Sequence, residues 1–149
     1  MKTIPLKQPL ITAILAMGLC ATPTWAKNNC TGEDAAKLTL VKKLYQRDDF
    51  PTTFLSTSLI KLIEQDNQCA ETEGGICRLD FMPAYDSQDP DITKINYSCH
   101  SGRVTARLFE RSQKPHNITY AFVRQNGHWL INDVIYPDQR TLSTILTGE

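Results

Sequence analysis

One carboxylate in the sequence stands where it could act as a general base. Strict alternation along residues 128–136 places Asp133 on the same side as Trp129, Ile131 and Ile135. A carboxylate among apolar neighbours must be hydrogen-bonded or take up a proton, and burial of this kind raises a carboxyl pKa towards the range in which a catalytic base works. The alternative is a structural role, in which backbone amides or an arginine hold the carboxylate.

Catalysis at Asp133 would also need a partner that transfers a proton. His100 and His116 both lie beside predicted turns, and His128 follows a hairpin glycine in the opposite phase from Asp133. None is placed within predicted hydrogen-bond reach, which acid–base catalysis requires. The sequence also lacks a Gly-x-Ser-x-Gly motif and a glycine-rich phosphate loop, so we expect no cofactor. Asp133 is therefore the one catalytic candidate, and its structural role is favoured.

A second group of polar residues suggests binding rather than catalysis. The stretch from 80 to 91 is rich in aspartate and contains one tyrosine that we expect to be exposed. An acidic surface with an exposed aromatic ring is suited to contact with a basic partner. The predicted binding residues, which we call the acidic rim, are Asp80, Tyr85, Asp86, Gln88 and Asp89.

The same stretch could in principle supply oxygen ligands to Ca²⁺ from Asp86, Asp89 and Asp91. It lacks the glycine and the terminal glutamate of a calcium loop, and Pro90 restricts its backbone. We predict no metal site, and expect these side chains to make turn hydrogen bonds or to contact a partner.

The overall composition is that of one folded domain with no excess charge. Sixteen Lys and Arg balance sixteen Asp and Glu over 149 residues, and 41% of the residues are hydrophobic. This composition argues against disorder. It also argues against nucleic-acid binding, which needs a basic surplus to neutralise phosphates.

The first 26 residues have the three-part pattern of a secretory signal peptide. Lys2 and Lys7 precede an apolar run over 10–19, and small residues lead to a cleavage site after Ala26. The run is about half the length of ~20 residues that a membrane-spanning helix needs. We therefore predict a signal peptide over 1–26 and one domain over 27–149, without a membrane span and located in the periplasm or secreted.

Four cysteines remain after cleavage, and an even number in an exported chain predicts two disulfides. Cys69 and Cys77 bracket a polar loop with two glycines, so we pair them locally, which leaves Cys30 with Cys99. Metal binding is not expected, because the spacings match no paired-ligand pattern.

The periodicity of the mature chain changes once, from helical to extended. Thr31 is the predicted N-cap of a first helix, with Asp34 completing a box-like pair, and a second helix follows Pro51. Alternation then begins at 78–81 and continues to a hairpin at Asn126-Gly127, before a short last helix. The apolar positions of the two first helices are Leu38, Val41, Leu44, Tyr45, Leu55, Leu59, Leu62 and Ile63. Helices followed by an antiparallel sheet predict an α+β fold.

Two stretches carry a resemblance to a known superfamily. Residues 127–133 contain Gly-x-Trp-x-Ile-x-Asp, which resembles a late strand of the cone-shaped fold typified by nuclear transport factor two. Residues 79–89 resemble a family of exported bacterial proteins of unknown function, in which the stretch reads Leu-Asp-Phe-Asp-Pro-Phe, two residues, then Ala-Gln-Asp. Met82 stands where that family has its second aspartate, and Ala84 where it has an aromatic residue. The resemblance spans roughly residues 35–147 and implies helices packed on a curved, cone-like sheet, but no single activity.

Three hypotheses of function follow, in order of preference. The first is a non-catalytic periplasmic binding protein that engages a protein partner through its sheet or its acidic rim, as an accessory protein or an immunity-type inhibitor of a cell-wall-directed toxin. The second is a module that binds a small ligand inside the cone, and the third is an enzyme with Asp133 as its base. The sequence leaves the partner and the oligomeric state open.

Overall fold

Over the residues that the structure describes, the fold is α+β, with three α-helices and one four-stranded sheet. The computed structural model describes residues 30–111 and 113–149; the predicted signal peptide over 1–26 lies outside these residues. Along the chain the helices and strands are α1 (Glu33–Leu44), a 3₁₀ turn (Thr52–Phe54), α2 (Thr57–Glu73), β1 (Ile92–His100), β2 (Arg103–Glu110), β3 (His116–Gln125), β4 (His128–Ile135) and α3 (Leu142–Thr147). No helix of the described residues has the length and apolar character needed to cross a bilayer.

The sheet is antiparallel, and its strands are ordered β1-β2-β3-β4 as in the sequence. Two tight turns set this order. Ser101 and Gly102 have φ values of 50° and 74°, and Asn126 and Gly127 have values of 51° and 81°. Two successive residues with positive φ characterise the turn whose twist matches a two-residue hairpin, so the hairpin predicted at Asn126-Gly127 is confirmed.

The helices pack on one side of the sheet, which we call the inner face; the other side is the outer face. The inner-face side chains of β2 and β3 are fully buried, namely Val104, Ala106, Leu108, Ile118 and Tyr120. The helices cover them with further buried residues, namely Val41, Leu44, Leu59, Leu142 and Leu146. These side chains form the hydrophobic core between the helices and the sheet.

A β-bulge in the last hairpin changes which residues of β4 face the core. Ala121 pairs with Asp133, whereas Phe122 pairs with Ile131, so one extra residue of β4 stands opposite β3. The alternation therefore shifts by one position after Ile131, and the buried side chains beyond the bulge are those of Val134 and Tyr136. Asp133 and Ile135 therefore share the outer face, whereas Ile131 lies on the inner face, so the prediction that all three share one face with Trp129 is wrong.

Trp129, which we expected on the core face, is half-buried. Its ring lies beneath the first turns of α1, where the Lys37 Nζ is 4.4 Å from the ring centroid. The buried Lys37 ammonium also forms an ion pair with Asp34, at 2.9 Å. The indole thus packs at the margin of the core, against a charged side chain.

Both predicted disulfides are present in the structure. Cys30 is bonded to Cys99, and Cys69 to Cys77, with Cα–Cα distances of 5.1 and 5.8 Å. The loop predicted between Cys69 and Cys77 is mostly helical, because α2 continues to Glu73 and ends at Gly74 in the left-handed conformation.

The start of α1 also differs from the prediction. Gly32 occupies the N-cap position with a φ of 57°, and no side chain caps the helix. Thr31 contributes its carbonyl oxygen, which accepts from the Asp34 amide at 3.2 Å. The left-handed glycine lets the chain turn sharply from the disulfide-bonded Cys30 into the helix.

Residues 78–81, predicted to be extended, form no strand. The amides of Arg78 and Leu79 donate to the buried carboxylate of Asp66 on α2, at 3.1 and 3.2 Å. These amides are therefore not available to a sheet. The nearest extended pairing is a single antiparallel bridge between Met82 and Ser87.

Candidate functional site

The acidic rim lies on a compact turn that joins α2 to the sheet. The Met82–Ser87 bridge closes this turn, and Asp86 within it has a φ of 54°. Asp80 and Gln88 are both exposed and approach each other, with the Gln88 Nε2 3.5 Å from the Asp80 Oδ2. The five residues thus belong to one local surface, although their environments differ.

The rim turn is held in place through its backbone. Three consecutive carbonyl oxygens accept hydrogen bonds from side chains that lie directly after β4, directly after α1 and at the start of β3. Tyr136 Oη donates to Pro83 at 3.2 Å, Tyr45 Oη to Ala84 at 2.7 Å, and His116 Nε2 to Tyr85 at 3.1 Å. We call this arrangement the carbonyl clamp. It fixes the path of the turn without using the turn's own side chains.

A third tyrosine, Tyr120, connects the clamp to the centre of the core. Tyr120 Oη donates to Tyr45 Oη at 2.8 Å, and the Tyr45 ring contacts those of Tyr85 and Tyr120 edge-on. Burial raises the pKa of Tyr45, Tyr120 and Tyr136 well above the usual tyrosine value. These hydroxyls stay protonated at neutral pH and act as fixed donors.

Tyr85 is half-buried rather than exposed as predicted. Its ring centroid lies 5.4 Å from that of Tyr45, so one edge of the phenol is covered. Burial raises the pKa of Tyr85, and the nearby Asp48 carboxylate adds to this effect. Tyr85 therefore helps to anchor the turn as well as contributing to its surface.

Asp86 is the least exposed acid of the rim. Burial raises the pKa of its carboxyl, and the Arg140 guanidinium, 4.0 Å away, opposes this rise. Arg140 is shared with Asp138, which it contacts more closely. Asp80 and Asp89, by contrast, make no ion pair within 4.0 Å among the residues that the structure describes, and both are exposed.

An apolar groove of about 430 Å³ adjoins the rim. It is lined by Ile76, Leu79, Asp80, Phe81, Met82 and Gln88. Ile76 stands out among the described residues, because it is a large hydrophobic side chain with 68% of its surface exposed. Asp80 and Gln88 lie along the groove as its polar edge.

Asp133, the catalytic candidate, has structural partners. The bulge turns it towards α3, where its Oδ1 accepts from the Ser143 amide at 3.1 Å and its Oδ2 from the Ser143 hydroxyl. The same Oδ1 accepts from the amide of Val134 at 2.9 Å. This is the structural role that sequence reasoning weighed against catalysis, with backbone amides and a serine as the donors.

The structure also shows a buried acid–imidazole pair that sequence reasoning missed. Only 2% of the Glu110 side chain is exposed, and its Oε1 lies 3.6 Å from His116 Nδ1. Since the carbonyl of Tyr85 can only accept, His116 Nε2 must carry a proton, and Nδ1 then faces the carboxylate. Among the described residues Glu110 Oε1 has no hydrogen-bond partner.

No cluster of three or more potential metal-ligating side chains occurs among the residues covered by the structure. Asp86, Asp89 and Asp91 are thus not gathered into a ligand set. Asp91 lies instead 3.6 Å from Arg111.

The chain was compared with family models, curated proteins and solved structures. None of the three comparisons found a match. The site is therefore interpreted from its own geometry.

Proposed function

We propose that this protein is exported to the bacterial periplasm and acts there as a non-catalytic binding protein for another protein of the envelope. Its small size and its export fit an accessory protein or an immunity-type inhibitor of a cell-wall-directed toxin. The proposed contact surface consists of the apolar groove beside Ile76 and the acidic rim.

Export is supported by two independent features. The first 26 residues have the basic, apolar and small-residue pattern of a signal peptide. The two disulfides are of the kind that forms and persists in oxidising compartments such as the periplasm.

The exposure of Ile76 is the observation that carries the binding proposal. A large aliphatic side chain with 68% of its surface in water, next to a groove lined by Leu79, Phe81 and Met82, is suited to a buried contact. Protein interfaces combine an apolar centre with a polar edge, and Asp80 and Gln88 supply that edge here.

The charges of the rim define the partner's chemistry. The exposed carboxylates of Asp80 and Asp89 lack ion-pair partners within the described residues, so a lysine or arginine of the partner would meet carboxylates that no cation already engages. We therefore propose a partner segment with an apolar side chain flanked by basic residues. The carbonyl clamp presents a turn that needs little rearrangement on binding, which lowers the entropic cost of association.

We also propose that the sheet has the cone-like form of the nuclear-transport-factor-two-like superfamily. Helices on one face of a four-stranded antiparallel sheet and a bulge in the last hairpin support this arrangement. The cone-like form does not indicate a particular activity, because proteins with this fold have many different functions.

The test is a quantitative capture experiment with matched variants. The immobilised protein is exposed to a periplasmic extract, and captured proteins are identified by mass spectrometry with their molar ratios. We expect one partner at a stoichiometric ratio, capture that weakens with added salt, and loss of capture in Ile76→Asp and Asp80→Lys. Thr53→Asp adds the same charge as Ile76→Asp at an exposed site on the 3₁₀ turn and should capture normally.

Two outcomes would contradict the proposal. One is that the wild-type protein captures nothing from the envelope extract. The other is that Ile76→Asp and Thr53→Asp capture the same partner equally well, which would locate the contact elsewhere on the protein.

A further inference from the structure

A second groove, on the outer face of the sheet, has a different chemistry from the acidic rim. It encloses about 510 Å³ and runs across β2, β3 and the end of β4. This volume lies within the range of small-molecule sites, which is about 300–1,000 Å³. The lining residues are Arg103, Arg107, Pro115, His116, Asn117, Thr119, Ile135, Tyr136, Pro137 and Gln139.

Two arginines on one strand dominate the charge of this groove. Arg103 and Arg107 lie four residues apart on the same face of β2, so their Cα atoms are about 13 Å from one another. Both are exposed, and within the described parts of the chain neither has a carboxylate within 4.0 Å. The ten donor N–H groups of the two guanidinia are thus not engaged by acids among the described residues.

Among the neighbouring side chains, Lys94 adds to the positive potential, and the buried Glu110 carboxylate is the nearby acid, 3.6 Å from His116 in the groove lining. On the adjoining strand β1, Lys94 and His100 are exposed, and His100 pairs directly with Arg103 across the sheet. Lys94 and Arg107 both lie over the ring of Phe109, at 5.4 and 5.5 Å from its centroid. Asp133, on the same face of β4 as Ile135, does not line the groove. It pairs with Ala121, and its carboxylate oxygens already accept three hydrogen bonds.

The rest of the groove combines neutral polar groups with an apolar wall. The lining includes the exposed Asn117 and the side chain of Thr119, whose hydroxyl oxygen is 2.9 Å from that of Thr105 on the neighbouring strand. Ile135 and Pro137 form the wall. Such a surface suits a ligand with an apolar carbon chain and charged ends.

We propose that this groove binds a small organic dianion, specifically a dicarboxylate whose two carboxylates are received by Arg103 and Arg107. The planar fork of each guanidinium matches a carboxylate in a bidentate arrangement. The spacing of the two arginines requires the two anionic groups to be separated, and the wall of Ile135 and Pro137 contacts the carbon chain between them. This site uses none of the acidic-rim side chains, and its ligand is distinct from the protein partner proposed there, although His116 and Tyr136 both line the groove and hold the rim turn through the carbonyl clamp.

The test is a calorimetric titration of the purified, disulfide-bonded protein with a series of linear dicarboxylates from succinate to suberate. Inorganic phosphate and pyrophosphate are titrated in parallel. We expect saturable one-to-one binding at low salt that strengthens as the chain lengthens from succinate and weakens with added salt. Arg103→Gln and Arg107→Gln should each weaken the binding at least about tenfold, because a charged hydrogen-bonded pair is lost.

Arg47→Gln is the matched control. Arg47 is also an exposed arginine, but it does not line the groove, and its Nε is already 2.8 Å from Asp49. We expect Arg47→Gln to bind the dicarboxylates like the wild type. Near-ultraviolet circular dichroism of each variant verifies that the fold is retained.

Three results would overturn the proposal. The first is the absence of saturable binding with every dicarboxylate. The second is equal weakening by Arg47→Gln and Arg107→Gln, which would mean a diffuse charge effect. The third is tighter binding of pyrophosphate than of all dicarboxylates, which would assign the groove to phosphate compounds instead.

Discussion

The two faces of the sheet are built from the same strands but have opposite chemistry. On β2, Val104, Ala106 and Leu108 are fully buried on the inner face, whereas Arg103 and Arg107 are exposed on the outer face. The buried side chains of the inner face provide the hydrophobic stabilisation of the fold, so the outer face can carry charged side chains. A chain with no net charge thus has a basic groove on one surface and an acidic rim on another. Charge segregation of this kind is not visible in the overall composition.

The sharpest test of this comparison uses neighbouring residues on one strand. Ile118 is fully buried, and the adjacent Asn117 is exposed on the other face. Ile118→Ala should lower the free energy of unfolding by about 2–5 kcal/mol, because it leaves a cavity in the core. Asn117→Ala should change it by no more than about 0.5 kcal/mol. Urea titrations of both variants measure the difference, and similar losses would mean that the faces are not distinct.

The buried tyrosines predict how the inner face responds to alkaline pH. Burial raises the pKa of Tyr45, Tyr120 and Tyr136, so the folded state keeps protons that the unfolded chain releases above its tyrosine pKa of about 10. The stability that these protonated tyrosines contribute is therefore complete below pH ~10. As the pH rises further, the free energy of unfolding falls by up to ~1.4 kcal/mol per pH unit for each tyrosine. Urea midpoints measured between about pH 9 and 12 should fall steeply.

Tyr120→Phe serves as the control for that experiment. It should cost about 1 kcal/mol at neutral pH, because the hydrogen bond to Tyr45 is lost. It should also make the alkaline decline shallower, since one titrating group is removed. A decline of unchanged slope would show that the loss of stability arises from other groups.

The smallest expected effect concerns Trp129, at the margin between core and surface. We expect Trp129→Ala to cost about 1–2 kcal/mol, less than the ~3–5 kcal/mol typical of a buried aromatic ring, because the indole is half-buried and its main partner is the Lys37 ammonium. Trp129→Phe should recover most of the loss, since a ring remains under Lys37. A cost for Trp129→Ala as large as that for Ile118→Ala would place the indole in the core.

Local sequence signals predicted the parts of the fold that depend on a few adjacent residues. Asn126-Gly127 encodes its hairpin because both residues tolerate positive φ. The short spacing of Cys69 and Cys77 made their pairing the simplest choice, and the other pair followed. Helical spacing of Val41 and Leu44 indicated the buried face of α1.

The bulge in β4 could not be predicted from alternation, because both phases of this segment contain apolar residues. Trp129 and Ile131 fit one phase, and Val134 and Tyr136 fit the other. Only pairing with β3 decides where the phase changes. The position of Asp133 depends on that long-range pairing, which is why its contact with Ser143 was not foreseen.

The candidate site was only partly predictable for a similar reason. The acidic rim is contiguous in sequence, so its residues were found, but the exposed Ile76 and the apolar groove depend on how Asp66 holds the amides of Arg78 and Leu79. The pair of Glu110 and His116 joins the end of one strand to the start of the next. The sequence shows that Arg103 and Arg107 alternate with apolar residues. The groove beside them forms only because residues after β4, such as Pro137 and Gln139, line its other side.

The carbonyl clamp has a consequence for how this protein can change over evolutionary time. The hydrogen bonds that hold the turn from Pro83 to Tyr85 are accepted by its main-chain oxygens, and the donors are Tyr45, Tyr136 and His116. The shape of the turn therefore does not depend on hydrogen bonds from its own side chains. Substitutions at exposed positions such as Gln88 and Asp89 can then accumulate without a penalty in folding. Homologous proteins could thus differ in the partner that they bind and still share the same backbone conformation of this turn.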